Sequence, residues 1–269
     1  MTTVKSTNTA VRGVPRLLRK LLLTLSVPVV LIVTWQVVTT QLAHFYWPSP
    51  AAIAAAFPET WFGERLLDDV VPSLGRLILG YSISVVLGTL LGAAIGSVAR
   101  LRLFLEPVIE LFRAIPPPVL VPVIMLFTGI GANMQVAVIA FGCVWPVLIN
   151  TIEGVRGVDL TQLDTAKSYR LSRAQLLFAV VLPAASPKIF AGARQALSIG
   201  IIMMVISEMF ASANGIGFSV IEFQRLFQLT PMWTGILLLG LIGVLANFVF
   251  KFVERRALRW YLNMQSQER

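Results

Sequence analysis

The residues able to do chemistry in this 269-residue chain are few. Its single cysteine, Cys143, lies inside an apolar run, and its single histidine, His44, sits beside Phe45, Tyr46 and Trp47 at a helix end. A packed thiol and an interfacial imidazole are the readings those settings give; together they supply neither a disulfide framework nor a metal cluster. The chain has no G-x-S-x-G, no H-E-x-x-H and no Cys-His pair, so hydrolysis has no nucleophile and no metal to work with. It also lacks G-x-x-x-x-G-K-[ST], the loop whose amides cradle nucleotide phosphates. The expectation is therefore no catalytic residue, no metal and no directly bound cofactor.

The acids are informative by position. Glu208 is the one placed deep within an apolar run, where an ionised group costs about 2.5–3.5 kcal/mol at mid-bilayer on insertion scales. It must face a cavity or a partner. It is thus a candidate to line a pathway, and equally a candidate for a structural hydrogen bond to a neighbouring helix. Glu110 and Arg113 stand three apart, the spacing of a local helical ion pair.

The elements that position these groups follow from composition. Apolar residues make up 57% of the chain and charged residues 13%, about half the share of a soluble domain. The apolar residues come in runs of roughly twenty, the length that crosses a hydrocarbon core of about 30 Å. An all-α integral membrane protein with about six transmembrane helices is expected, at 21–41, 74–98, 108–129, 133–152, 187–211 and 232–252. The N-terminal run is too long for a signal-peptide core and lacks a cleavage site, so it reads as a retained first span. Pro116, Pro117, Pro118 and Pro122 interrupt the third run, and such a break survives at membrane depth only against protein or water. Pro116, Pro117 and Pro118 are therefore candidate pathway residues. Trp47, Trp61 and Trp233 are expected near the outer interface, and Pro28 inside the first span.

Net charge is +9, but the basic residues sit in the N-terminal stretch (Arg12, Arg16, Arg19, Lys20), in loops, and in a C-terminal patch at Lys251, Arg255, Arg256 and Arg259. No aromatic residues interleave at base-stacking spacing, so the charge marks cytoplasmic loops and not nucleic acid. Both termini are expected in the cytoplasm. The organisation is then a basic tail (1–20), a first helix (21–41), an outer segment (42–73), a membrane domain over 70–255 with an inner loop at 153–186, and a cytoplasmic tail (256–269).

In the second span Gly80, Ser84, Gly88, Gly92 and Gly96 recur every four residues, one smooth stripe where another backbone can approach. Gly192, Ala196 and Gly200 repeat this in the fifth. The stripe serves fixed packing or packing that slides. The inner loop reads D-T-A-K-S-Y-R-L-S-R-A-Q-L-L-F-A-V-V-L-P from Asp164 to Pro183. Its first part forms a short helix on which Leu160, Leu163, Lys167, Arg170 and Leu171 can share one side, fit to dock into a groove on a partner. Pro183 and Pro187 are expected to end it before the fifth span.

That loop resembles the E-A-A-x3-G-x9-I-x-L-P signature of permeases of ATP-binding-cassette importers of the type I fold. Asp164 stands at the Glu position, Thr165 and Ala166 at the two Ala, Arg170 at the Gly, Val180 at the Ile, and Leu182 and Pro183 close the motif. The segments R-A-I-P-P-P (113–118), F-T-G-I-G (127–131), W-P-V-L-I-N-T (145–151), G-V-R-G-V-D (154–159), I-S-E-M (206–209) and N-G-I-G (214–217) are similar to the nitrate, sulfonate and taurine branch. The resemblance implies a coupling helix, with Leu163, Ala166 and part of Lys167 buried in a cleft of a cytoplasmic ATPase. It also implies a second permease copy, an extracytoplasmic solute-binding protein, and ATP and Mg held by the partner ATPase in the plasma membrane of a bacterium. The substrate expected is a small anion such as a sulfonate, taurine or nitrate, with a thiamine-precursor pyrimidine as the runner-up. A stand-alone secondary transporter or a membrane assembly protein would leave the inner loop unexplained.

Overall fold

A computed structural model describes residues 16–42, 45–261 and 263, with the backbone alone for 16–25 and 211. His44, the tail up to residue 15, and residues 262 and 264–269 of the C-terminal tail lie outside the described residues. Among those described, every regular element is helical: α1 (Arg16–Leu42), α2 (Pro50–Trp61), α3 (Val71–Ser97), α4 (Ala99–Ala114), α5 (Val121–Thr128), α6 (Ala132–Arg156), α7 (Leu160–Ser168), α8 (Arg173–Leu176), α9 (Leu182–Ala211), α10 (Ile216–Arg225) and α11 (Leu229–Ala257). Four stretches, Leu66–Ser97, Ala132–Arg156, Arg173–Phe210 and Leu229–Ala257, are long and apolar enough to cross a bilayer. The apolar part of α1, Ser26–Leu42, is shorter.

The run expected as a single third span is a broken one. Helices α4 and α5 meet at 87°, joined by a 3-10 turn at Pro117–Leu120. Ile115 and Pro116, each preceding a proline, are held extended at ψ 121° and 119°, because the following ring clashes with a helical neighbour. The fifth span also departs from expectation, since helix continues from Arg173 through Pro183 and Pro187. A π-helical segment, Leu177–Val181, ends two residues before Pro183, and a second, Leu66–Val70, ends two residues before Pro72. A proline ring collides with the carbonyl four residues back, and a wider i→i+5 turn moves that carbonyl aside. The helix therefore passes each proline without stopping.

Three helices form the core. The stripe on α3 lies against α6 in constant register: Cβ atoms added at Gly80, Gly88, Gly92 and Gly96 would come within 2.6–2.9 Å of Ile139, Val147, Thr151 and Val155. Both helices therefore run the same way. On the other side of α6, a Cβ added at Gly142 would meet Met203, one at Gly192 of α9 would come within 2.6 Å of the Pro146 carbonyl, and one at Gly200 would meet Cys143 and Leu77. Helix α9 thus returns antiparallel between its neighbours. Cys143 is fully buried there, and its thiol donates to the Ala196 carbonyl at 3.2 Å. Trp61, expected at the interface, is instead 1% exposed, and its indole N–H donates to Thr234 of α11 at 2.9 Å. Ser49 caps α2, and α2 packs on α11, which covers that ring.

Candidate functional site

At one end of the bundle, the loop end, residues 157–181 stand out from the core. Asp159 starts α7 by accepting from the Thr161 amide at 2.7 Å, and Ser172 with Gln175 forms a capping box that starts α8. Between them Leu163 packs on the cluster of Val158, Val181 and Ala185, so α7 is pinned to the base of α9. Ala166 is only 4% exposed. Of the residues expected to enter a partner, Ala166 is thus buried and Leu163 partly buried within the chain itself, while Lys167 is exposed. Leu182 packs on the same cluster. Asp164 and Lys167 pair at 2.9 Å with both side chains 71% exposed, an arrangement worth little to stability.

What α7 leaves uncovered is Leu160, 74% exposed, and Tyr169, 78% exposed. Thr165, Tyr169 and Pro183 line an open cleft of about 880 Å³ whose far wall is Trp260 and Tyr261, just beyond α11. Arg170 closes α7 with φ +54°. The Tyr169, Arg170 and Leu171 amides bond back to Thr165, Lys167 and Ala166 at 3.1, 2.8 and 3.2 Å. A left-handed residue ending a helix in this way is usually glycine, so the turn keeps the geometry that a Gly would give and Arg170 carries it under strain.

At the far end, α3 and the α9–α10 turn are locked by a buried polar clasp. Glu208 is fully buried and accepts from the Ser73 hydroxyl at 2.6 Å, the Gly217 amide at 2.9 Å and Arg76 at 3.3 Å. Asp69 accepts from the Gly215 amide at 2.8 Å, from Ser219 at 2.8 Å and from Arg65 at 3.3 Å. The Ile216 amide bonds to the Ser73 hydroxyl at 3.0 Å. Three successive amides at the start of α10 therefore each find one side chain of the clasp, where the helix dipole favours negative charge. Gly215, at φ +125°, would bring a Cβ within 2.5 Å of the Glu208 carboxyl, so only glycine fits. Arg76 also holds the Asn214 side chain at 2.5 Å.

The comparisons decide what this architecture belongs to. Residues 84–259 match the model of the family described as the binding-protein-dependent transport system inner membrane component. The chain belongs to this family. The taurine transport system permease protein of Escherichia coli is 30% identical over 88% of this chain and 88% of its own length. The nitrate import permease protein of Leptolyngbya laminosa is 28% identical over 72% of this chain and 69% of its own. A solved structure of the MetNI methionine ABC transporter superposes with a TM-score of 0.61 over 70% of this chain and 94% of that one, at 18% identity. The fold is that of type I importer permeases, and the chain is a transport subunit.

Within the permease, the I-S-E-M and N-G-I-G segments meet in the clasp, since Glu208 bonds to Gly217 and lies against Gly215. In this protomer the Glu208 carboxylate is buried and held by three donors. Asp69, Ser73 and Arg76 were missed in the sequence. Their signal is a polar i, i+4, i+7 pattern at the start of an apolar run, one face of a helix. Pro116, Pro117 and Pro118 sit at the α4–α5 elbow, between Phe112, which stacks on Trp145 midway along α6, and Val121, which packs in the core with Val138 and Met203. The Glu110–Arg113 pair forms at 2.8 Å on exposed α4.

Proposed function

We propose that the permease forms the membrane path of an ATP-driven importer of small anions, such as a sulfonate, taurine or nitrate, and that α7 is its coupling helix. Two copies would enclose the path. Two cytoplasmic ATP-binding subunits, which hold ATP and Mg, would receive the α7 loops, and an extracytoplasmic binding protein would deliver the solute at the far end. The loop end and both termini are then cytoplasmic, in keeping with the basic residues gathered there. The permease supplies no ATPase chemistry of its own.

The observation that carries this reading is the mechanical form of the loop. Helix α7 is fastened to the stem of α9 through Leu163 while Leu160 and Tyr169 remain bare. A push on the bare face passes directly into a helix that traverses the core, since α9 packs along α6 by glycine contacts. The anion class is supported by the named relatives, and it is compatible with Glu208 being buried against Arg76, where its charge does not meet a passing anion.

Co-reconstitution tests this. The permease, its ATP-binding subunit and its binding protein in proteoliposomes should take up labelled taurine or nitrate with ATP inside, and binding protein should stimulate hydrolysis. Uptake that proceeds without the ATP-binding subunit would overturn the proposal.

A further inference from the structure

At the loop end of the bundle, α4 and α6 enclose a recess of about 80 Å³. Helix α4 lines it with Arg102, Glu106, Ile109 and Glu110, spaced i, i+4, i+7 and i+8, which is one helical face. Helix α6 lines it with Ile149, Ile152, Glu153 and Arg156, again one face. Phe112 stacks on Trp145, while earlier on α4 and later on α6 Arg102 and Arg156 share the recess. The two helices therefore pass here in opposite directions, and both arginines stand at one end. Glu106 follows one turn along from Arg102, about 6 Å at 1.5 Å per residue. Two of the charges are matched locally, Arg156 by Glu153 at 2.9 Å and Glu110 by Arg113 at 2.8 Å. Arg102 and Glu106 are not. They are four apart with the base first, the less favourable order for a helical pair. Neither has an ion pair among the described residues, and Arg102 is half-buried all the same.

We propose that this recess is a solute subsite for a small zwitterion, an amino-sulfonate of taurine's size, with its sulfonate on Arg102 and its ammonium on Glu106. The inference rests on the importer reading above, which places the recess on the cytoplasmic side of the path. What stays unmatched in the recess is one cation and one carboxylate, the complement of a molecule that carries one of each. Both contacts are charge-assisted hydrogen bonds, the guanidinium donating to the sulfonate and the ammonium donating to the carboxylate. Ile109, Ile149 and Ile152 offer the two methylenes an apolar wall, the usual build of a small-molecule site. Size agrees as well. At about 12 Å³ per water-sized group, the recess admits on the order of six or seven such groups, which is the size of taurine. Nitrate would fill about half of that space and would leave Glu106 unmatched beside an anion.

The test titrates purified full-length permease in nanodiscs with taurine, with ethanesulfonate, which lacks the ammonium, and with nitrate, read by ligand-observed NMR. Wild type should bind taurine at least about tenfold more tightly than either anion. Glu106→Gln should bring taurine and ethanesulfonate to about equal affinity, and Arg102→Gln should weaken both at least about tenfold. Neither side chain is paired in the fold, so both variants should melt like wild type. Equal affinity of wild type for taurine and ethanesulfonate, which is read without any variant, would overturn the proposal. So would an unchanged preference in Glu106→Gln, or taurine affinity unmoved by Arg102→Gln. Absence of taurine binding to a permease whose full importer still takes up taurine with ATP would overturn the subsite alone. Failure of the importer reading shows elsewhere, as uptake without the ATP-binding subunit.

Discussion

Arg170→Gly should make the loop more stable, and the size of the gain follows from the backbone. Arg170 holds φ +54° at the end of α7. An L-residue in that region costs about 1–2 kcal/mol. Glycine removes that cost but adds about 0.5–1 kcal/mol of chain entropy in the unfolded loop. The net is a gain of roughly 0.5–1 kcal/mol, which slows local opening about two- to fivefold. The amide of Leu171, bonded to the Ala166 carbonyl at 3.2 Å, reports this opening directly. Hydrogen exchange on a peptide spanning 164–176 should slow by that factor in Arg170→Gly. Arg170→Val, which puts a β-branched residue at positive φ, should speed it. Equal exchange in all three proteins would refute the left-handed turn, as would faster exchange in the glycine variant.

Three other outcomes are expected. Glu208→Gln leaves Arg76 without its buried charged partner, and should lower the melting temperature and the yield of folded permease by the equivalent of about 3 kcal/mol or more; a folded, normally melting variant defective only in uptake would make Glu208 a pathway residue instead. Gly92→Ala forces a Cβ to within 2.6 Å of Thr151, and should destabilise by about 1–3 kcal/mol, whereas Gly240→Ala, with open space around it, should melt like wild type. An impermeant maleimide on intact cells should label Glu64→Cys at the far end and spare Ser172→Cys in the loop, with buried Cys143 silent in both; labelling at 172 alone would invert the topology.

Much of this architecture was legible because periodicity and apolar runs are strong signals. The four-residue stripe on α3 is visible in the sequence, and its contacts with Ile139, Val147, Thr151 and Val155 are those of close packing. The loop was legible as well, since Asp164, Ala166, Leu182 and Pro183 keep a spacing that resembles a known motif. Local backbone geometry was not. Prolines 183 and 187 look like helix ends, and only the π turn before Pro183 shows why the helix continues. Prolines 116–118 look like a defect in one span and are an 87° elbow between two helices. Partners were also hidden, because Asp69 and Glu208 lie far apart in the chain and converge on Gly215–Gly217 only after α3 and α10 pack. Trp61 shows the same limit. Its flanking polar residues suggest an interface, while the ring is buried because α2 folds over α11.

The central claim is that the bare face of α7 meets an ATP-binding subunit. A photo-reactive residue placed at Tyr169 in the full importer should, on illumination in membranes, form an adduct of permease and ATP-binding subunit that ATP and vanadate alter in yield. The same residue at Glu64 should give no such adduct. An adduct from Glu64 and none from Tyr169 would contradict the account, because the loop would then lie on the side of the membrane without ATP.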